Sequence, residues 1–172
     1  VAGTGADGAD KILFQLSRER GARTFGIWTI DYKPSGQTTA NATALATKSD
    51  AALINPAWSP DGQYIVFSEV SSPKGRVEIN QTMPIRSELW VMAADGRERA
   101  RLSSANAVAL MAAFGPSNQL YFVTDRAGES TVWSMDVGPT LAAMGSTSAE
   151  TQTANAQDDA GEADAPAQPA GR

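Results

Sequence analysis

Four carboxylates, Asp61, Asp95, Asp125 and Asp136, and four indoles, Trp28, Trp58, Trp90 and Trp133, are the side chains of this sequence with the widest chemical range. Two or more converging carboxylates would serve a glycosidase or a calcium site, yet no spacing here matches a calcium loop, and each Asp lies in or beside a turn signal. Turn-making, in which the short side chain accepts a nearby backbone N–H, is the expected role. The tryptophans could build a ligand-binding surface, but three recur at equivalent strand positions, which predicts core packing. Gly3, Gly5 and Gly8 fit G-x-G-x-x-G without the preceding strand and following helix that a dinucleotide site needs, and read as a flexible lead. Asn41-Ala42-Thr43 and Asn80-Gln81-Thr82 match the glycosylation triplet and read as chance matches.

The 172 residues include no Cys and no His. That removes thiol nucleophiles, Cys-based zinc sites, Ser-His-Asp triads and HExxH sites within this chain. With 14 Lys and Arg against 19 Asp and Glu, for a net charge of −5, a phosphate-neutralising surface is not expected, and neither is nucleic acid as a partner. The sequence predicts no cofactor, no metal and no catalytic residue. Its longest apolar stretch, residues 107–114, falls short of the ~20 needed to cross a bilayer, so no membrane span is expected.

The elements that position these residues follow from an internal repeat. Ile65-Val66-Phe67-Ser68 and Leu120-Tyr121-Phe122-Val123-Thr124 are β-branched and aromatic runs of strand type. Each follows an aromatic-turn segment, Ala57-Trp58-Ser59-Pro60-Asp61-Gly62 or Ala113-Phe114-Gly115-Pro116-Ser117-Asn118. Glu88-Leu89-Trp90-Val91-Met92 matches Thr131-Val132-Trp133-Ser134-Met135, and residues 12–15 and 26–31 supply another copy of the same two strands without the leading turn. In Ser59-Pro60-Asp61-Gly62 the proline presets φ and the glycine closes a tight turn. Ala94-Asp95-Gly96 is a second hairpin signal. The best copy reads as a four-stranded meander over 55–59, 64–68, 88–92 and 99–102. Such a sheet, apolar on both faces, buries them by stacking on copies of itself.

The residues Asn55-Pro56-Ala57-Trp58-Ser59-Pro60-Asp61-Gly62, with 64–68, 89–92 and Ala94-Asp95-Gly96, resemble the WD-like β-propeller repeat of the TolB-type periplasmic propellers. Thr124-Asp125-Arg126-Ala127-Gly128 is similar to that family's strand-connecting turn. The resemblance implies an all-β fold, a partial propeller of about three four-stranded antiparallel blades, over residues 10–50, 51–104 and 105–137, the first incomplete. Residues 1–9 form the lead, and 138–172 an Ala-rich, acidic, low-complexity tail, disordered or extended. In that tail Glu150, Asp158, Asp159, Glu162 and Asp164 face Arg172 alone, so it holds most of the net negative charge. Closed propellers have ~4–8 blades, so three predict a larger propeller, self-association to complete a ring, or blades stacked on a partner.

A departure from the repeat lies at 69–86, where a long insertion replaces the short link 125–130. Long loops on rigid repeats carry recognition, and Arg76, Met83 and Ile85 are the predicted partner-binding residues, with a two-stranded extension of the blade as the alternative. The expected function is a non-catalytic protein-binding or scaffold subunit of the bacterial cell envelope, an accessory component of a larger complex. A periplasmic or envelope location follows from the resemblance and from an opening Val-Ala-Gly-Thr-Gly without Met, which fits a fragment or a protein with its leader removed, and association with a membrane would run through a partner or a lost N-terminal anchor. Two alternatives stand: the propeller portion of a larger hydrolase of the prolyl-oligopeptidase or tricorn type, and a carbohydrate-binding propeller with exposed tryptophans.

Overall fold

The computed structural model describes residues 2–4 (backbone), 10–18, 24–32, 42–71, 86–104 and 106–145. Alternating and continuous apolar runs become three antiparallel sheets. The first is β1 (Ala2–Thr4), β2 (Asp10–Leu16), β3 (Gly26–Asp31) and β4 (Thr43–Ala46), in that order. The second is β5 (Ala51–Trp58), β6 (Tyr64–Ser71), β7 (Ser87–Ala93) and β8 (Arg99–Arg101). The third is β9 (Ala109–Phe114), β10 (Gln119–Thr124) and β11 (Thr131–Asp136). Strands therefore pair in sequence order, as a meander does.

The sheets stack. β2 and β3 pack on β5, and β9 packs on β5, β6 and β7. Because strand side chains alternate between faces, the second sheet serves two cores at once. Ile65, Phe67 and Met92 point to the first sheet and join Leu13 and Ile27. Val66, Leu89 and Val91 point to the third and join Ala109, Leu120 and Phe122. That explains why burial is continuous from Ile65 to Val70 rather than alternating.

Incompleteness lies at the other end of the stack from the one expected. β1 supplies a fourth strand to the first sheet, pairing Gly3 with Lys11, within the segment read as a lead. The third sheet has three strands among the described residues. Where a fourth would follow β11, residues 138–145 form a helix, α1. Asp136 Oδ1 accepts the Gly138 N–H at 2.8 Å, and Pro139 sits in the first turn, where an N–H has no partner within the helix. Val137, Leu141 and Met144 share one face and are buried against Leu120 and Ala112. The expected tail thus contributes its first residues to the core, and 146–172 lie outside the described residues.

Turns match their sequence signals. Gly62, Gly96 and Gly128 have φ of 71°, 80° and 98°, the left-handed region that glycine enters without steric cost. At Gly96 space is restricted too, since a Cβ would lie 2.7 Å from the Leu45 carbonyl oxygen. The β7–β8 turn thereby lies against the end of β4, where Arg99 Nη2 donates to the same Leu45 carbonyl at 3.1 Å.

Tyr64 fastens α1 to the second sheet by donating its hydroxyl to the Leu141 carbonyl at 3.1 Å. Burial, then the charges of Asp61 and Glu98, raise its pKa above the ordinary tyrosine value. A phenol harder to ionise when folded stabilises the fold fully below about pH 10, the unfolded value, and that stability is lost as pH climbs through the raised folded value. Tyr64→Phe removes the bond to Leu141 and is expected to cost about 1 kcal/mol at neutral pH. It should also flatten the fall of the urea midpoint above about pH 10. An equally steep alkaline fall in the variant would assign that limb to other groups.

Candidate interaction surface

The predicted contact residues Arg76, Met83 and Ile85 lie outside the described residues, as do 72–85 around them. The flanking strands run further than expected, β6 to Ser71 and β7 from Ser87. The surface with the clearest geometric signature is instead the outward face of the third sheet.

That face is defined by register. Phe67 pairs with Trp90 in the second sheet, Phe122 with Trp133 in the third and Phe14 with Trp28 in the first. Aligning on these pairs makes Leu13, Val66 and Tyr121 equivalent, likewise Ile27, Leu89 and Val132, and Thr29, Val91 and Ser134. In the first two sheets these positions are buried at the next interface: Leu13 is 2% exposed, and Ile27, Val66, Leu89 and Val91 are each at 0%. In the third, Tyr121 is 46% and Val132 70% exposed, with Ser134 exposed beside them.

Met111 adjoins this face, 64% exposed with φ of 55°. It occupies the register shift in β9 that Asn55, φ 52°, occupies in β5. Asn55 suits the left-handed region, and its N–H donates to Gln15 Oε1 of the preceding sheet at 2.8 Å. A methionine there costs about 1–2 kcal/mol of backbone strain. The bulge is thus a repeated feature of the innermost strand, and at the third sheet it presents a flexible apolar side chain to solvent.

Behind the same sheet a cleft of about 400 Å³ opens between its inner face and the loop after β8. Leu102, Ser103, Asn106, Phe122, Arg126 and Met135 line it. The Arg126 guanidinium lies 5.0 Å from the centre of the Trp133 ring, and the Trp133 indole N–H donates to Thr131 Oγ1 at 2.9 Å. Trp133 is 39% exposed, a correction to its expected core role, whereas Trp28 and Trp58 are buried and Trp90 half-buried. Trp133 stands on an edge strand with no described neighbour beyond it.

The carboxylates do not converge. Asp61 accepts from Ser59 Oγ and the Gln63 N–H, Asp95 from the Arg97 N–H and Asp136 from Gly138, all within two residues. Asp125 instead reaches across the sheet and accepts the Val108 N–H at 2.8 Å, anchoring the entry to β9. Among the described residues no group of three His, Cys, Asp or Glu could hold a metal ion. Sequence reasoning did not single out Met111, Tyr121 or Val132. Their signal was available: Tyr121 and Val132 stand one position before Phe122 and Trp133, as Val66 and Leu89 stand before Phe67 and Trp90, and among the described residues no further sheet lies against the third.

No family model matches this chain, and no curated protein matches it. Among solved structures it is similar to a Mycobacterium tuberculosis puromycin-hydrolyzing peptidase, with a TM-score of 0.51 and 17% identity over 80% of this chain and 22% of that one. The chain therefore spans about a fifth of the length of that peptidase. At this identity the likeness concerns the fold, an arrangement of antiparallel sheets.

Proposed function

We propose that this chain is a non-catalytic protein-binding unit made of propeller blades, a scaffold subunit of the bacterial cell envelope. One observation carries the reading: positions buried at both interfaces inside the chain are apolar and uncovered on the third sheet, at Tyr121 and Val132. Contiguous exposed apolar surface of this kind marks protein contact sites. The envelope location rests on the TolB-like repeat residues, and osmotic-shock fractionation of producing cells tests it directly.

A photo-cross-linking amino acid placed at Tyr121 is the test of binding. In cells, illumination is expected to yield a covalent adduct with protein, while the same group at Glu129, in the exposed turn of the same sheet, yields none. Absence of an adduct at Tyr121 would overturn the reading.

A second reading, the propeller portion of a larger hydrolase, is favoured by the likeness to a peptidase of which this chain spans 22%. With no His in these 172 residues, a Ser-His-Asp triad would have to come from elsewhere in such a protein. Immunoblotting of source cells separates the two. A product far larger than this chain that reacts with a fluorophosphonate would decide for the hydrolase.

A further inference from the structure

The two ends of the stack are complementary in kind. Inside the chain, each interface joins a face carrying a Phe/Trp pair to a face carrying the Leu13, Ile27, Thr29 set or its equivalent. Phe67 and Trp90 of the second sheet pack with Leu13 and Ile27 of the first. Phe122 of the third sheet packs with Val66, Leu89 and Val91 of the second. The third sheet's outward face repeats the second set, as Tyr121, Val132 and Ser134. The first sheet's outward face repeats the Phe/Trp set, as Phe14 paired with Trp28. On that face Leu16 is 40% exposed and Ile12, Phe14 and Ile30 are half-buried, while Trp28 is buried with the Arg18 guanidinium 5.1 Å from its ring centre.

We propose that the partner of the open third sheet is a second copy of this chain, seated through its first sheet, so that two copies close head to tail into one ring. This rests on the protein-binding reading above and names its partner. Propellers close with ~4–8 blades. Two copies of the three described sheets fall within that range and three copies do not. A head-to-tail contact closes only when its rotation returns to the start, and otherwise grows into a filament. A two-chain ring therefore has both ends of both chains covered and a fixed stoichiometry. Both interfaces repeat the packing already present twice within the chain.

Native mass spectrometry and sedimentation equilibrium of the purified full chain are expected to show a two-chain particle. Val132→Asp and Leu16→Asp alter opposite ends at exposed positions, and each should give monomer with an unchanged far-ultraviolet spectrum. Mixing the two variants should restore two-chain particles, since one of the two contacts in the mixed ring is unaltered. A monomeric wild type would overturn the proposal. So would a dimer abolished by Val132→Asp and indifferent to Leu16→Asp, because that pattern belongs to third sheet against third sheet. Cross-linking at Tyr121 keeps the two failures apart. An adduct with the first sheet of another copy supports the ring, an adduct with a different protein overturns the ring alone, and no adduct overturns the binding reading as well.

Discussion

Phe67→Ala is expected to lower stability by about 3–5 kcal/mol, the range for truncating a buried phenylalanine. Phe67 is 1% exposed and lies in the core shared by the first and second sheets, with Leu13 and Ile27 on one side and Ile65 and Met92 on its own. Its removal leaves a void at an interface rather than within one sheet. The neighbours cannot close it without sliding β2 and β3 over β5, against which they pack. A marginally stable domain has about 5–15 kcal/mol to lose, so the variant should unfold at a much lower urea midpoint. A stability within about 1 kcal/mol of wild type would mean that the two sheets do not share this core.

Ser87→Ala should cost nearly as much although it removes one oxygen. Ser87 is 1% exposed, and its hydroxyl is placed twice against Ala109 of the next sheet, donating to the carbonyl at 2.8 Å and accepting the N–H at 2.7 Å. Ala109 is 2% exposed, so water cannot replace the serine without opening the interface. Each buried group left unpaired costs about 1–3 kcal/mol. The effect should be directional: hydrogen exchange would speed at Ala109 and along β9 while β2 and β3 remain protected. Uniform loss of protection would show that the clasp serves the whole stack rather than one interface.

Neither role stood out in the sequence. Phe67 was legible as a strand residue because it lies in a β-branched and aromatic run that recurs around Phe122. Which sheet it faced was not, since 64–70 is apolar on both faces. Ser87 lies just outside the repeat motif, and a serine beside an insertion reads as loop. Asp125 was read as a turn former, and the turn exists, with the Gly128 N–H donating to its carbonyl at 2.8 Å. Its carboxylate is spent elsewhere, on Val108, a bond that depends on β9 lying beside β10.

Local chemistry accounts for what the chain determines by itself. Turn glycines after Asp61 and Asp95 adopt positive φ, and β-branched and aromatic runs become strands whose pairing follows chain order. These depend on contacts within a few residues, or between strands joined by a short turn, and such contacts leave a periodic trace. The order of the stack, the fourth strand supplied by β1, the burial of Val137 and of Leu141 and Met144 of α1 against the third sheet, and the exposure of Trp133 were decided by tertiary structure. Each depends on whether another sheet lies against a given face. A strand's composition says that a face is apolar, and only the three-dimensional arrangement says whether anything covers it.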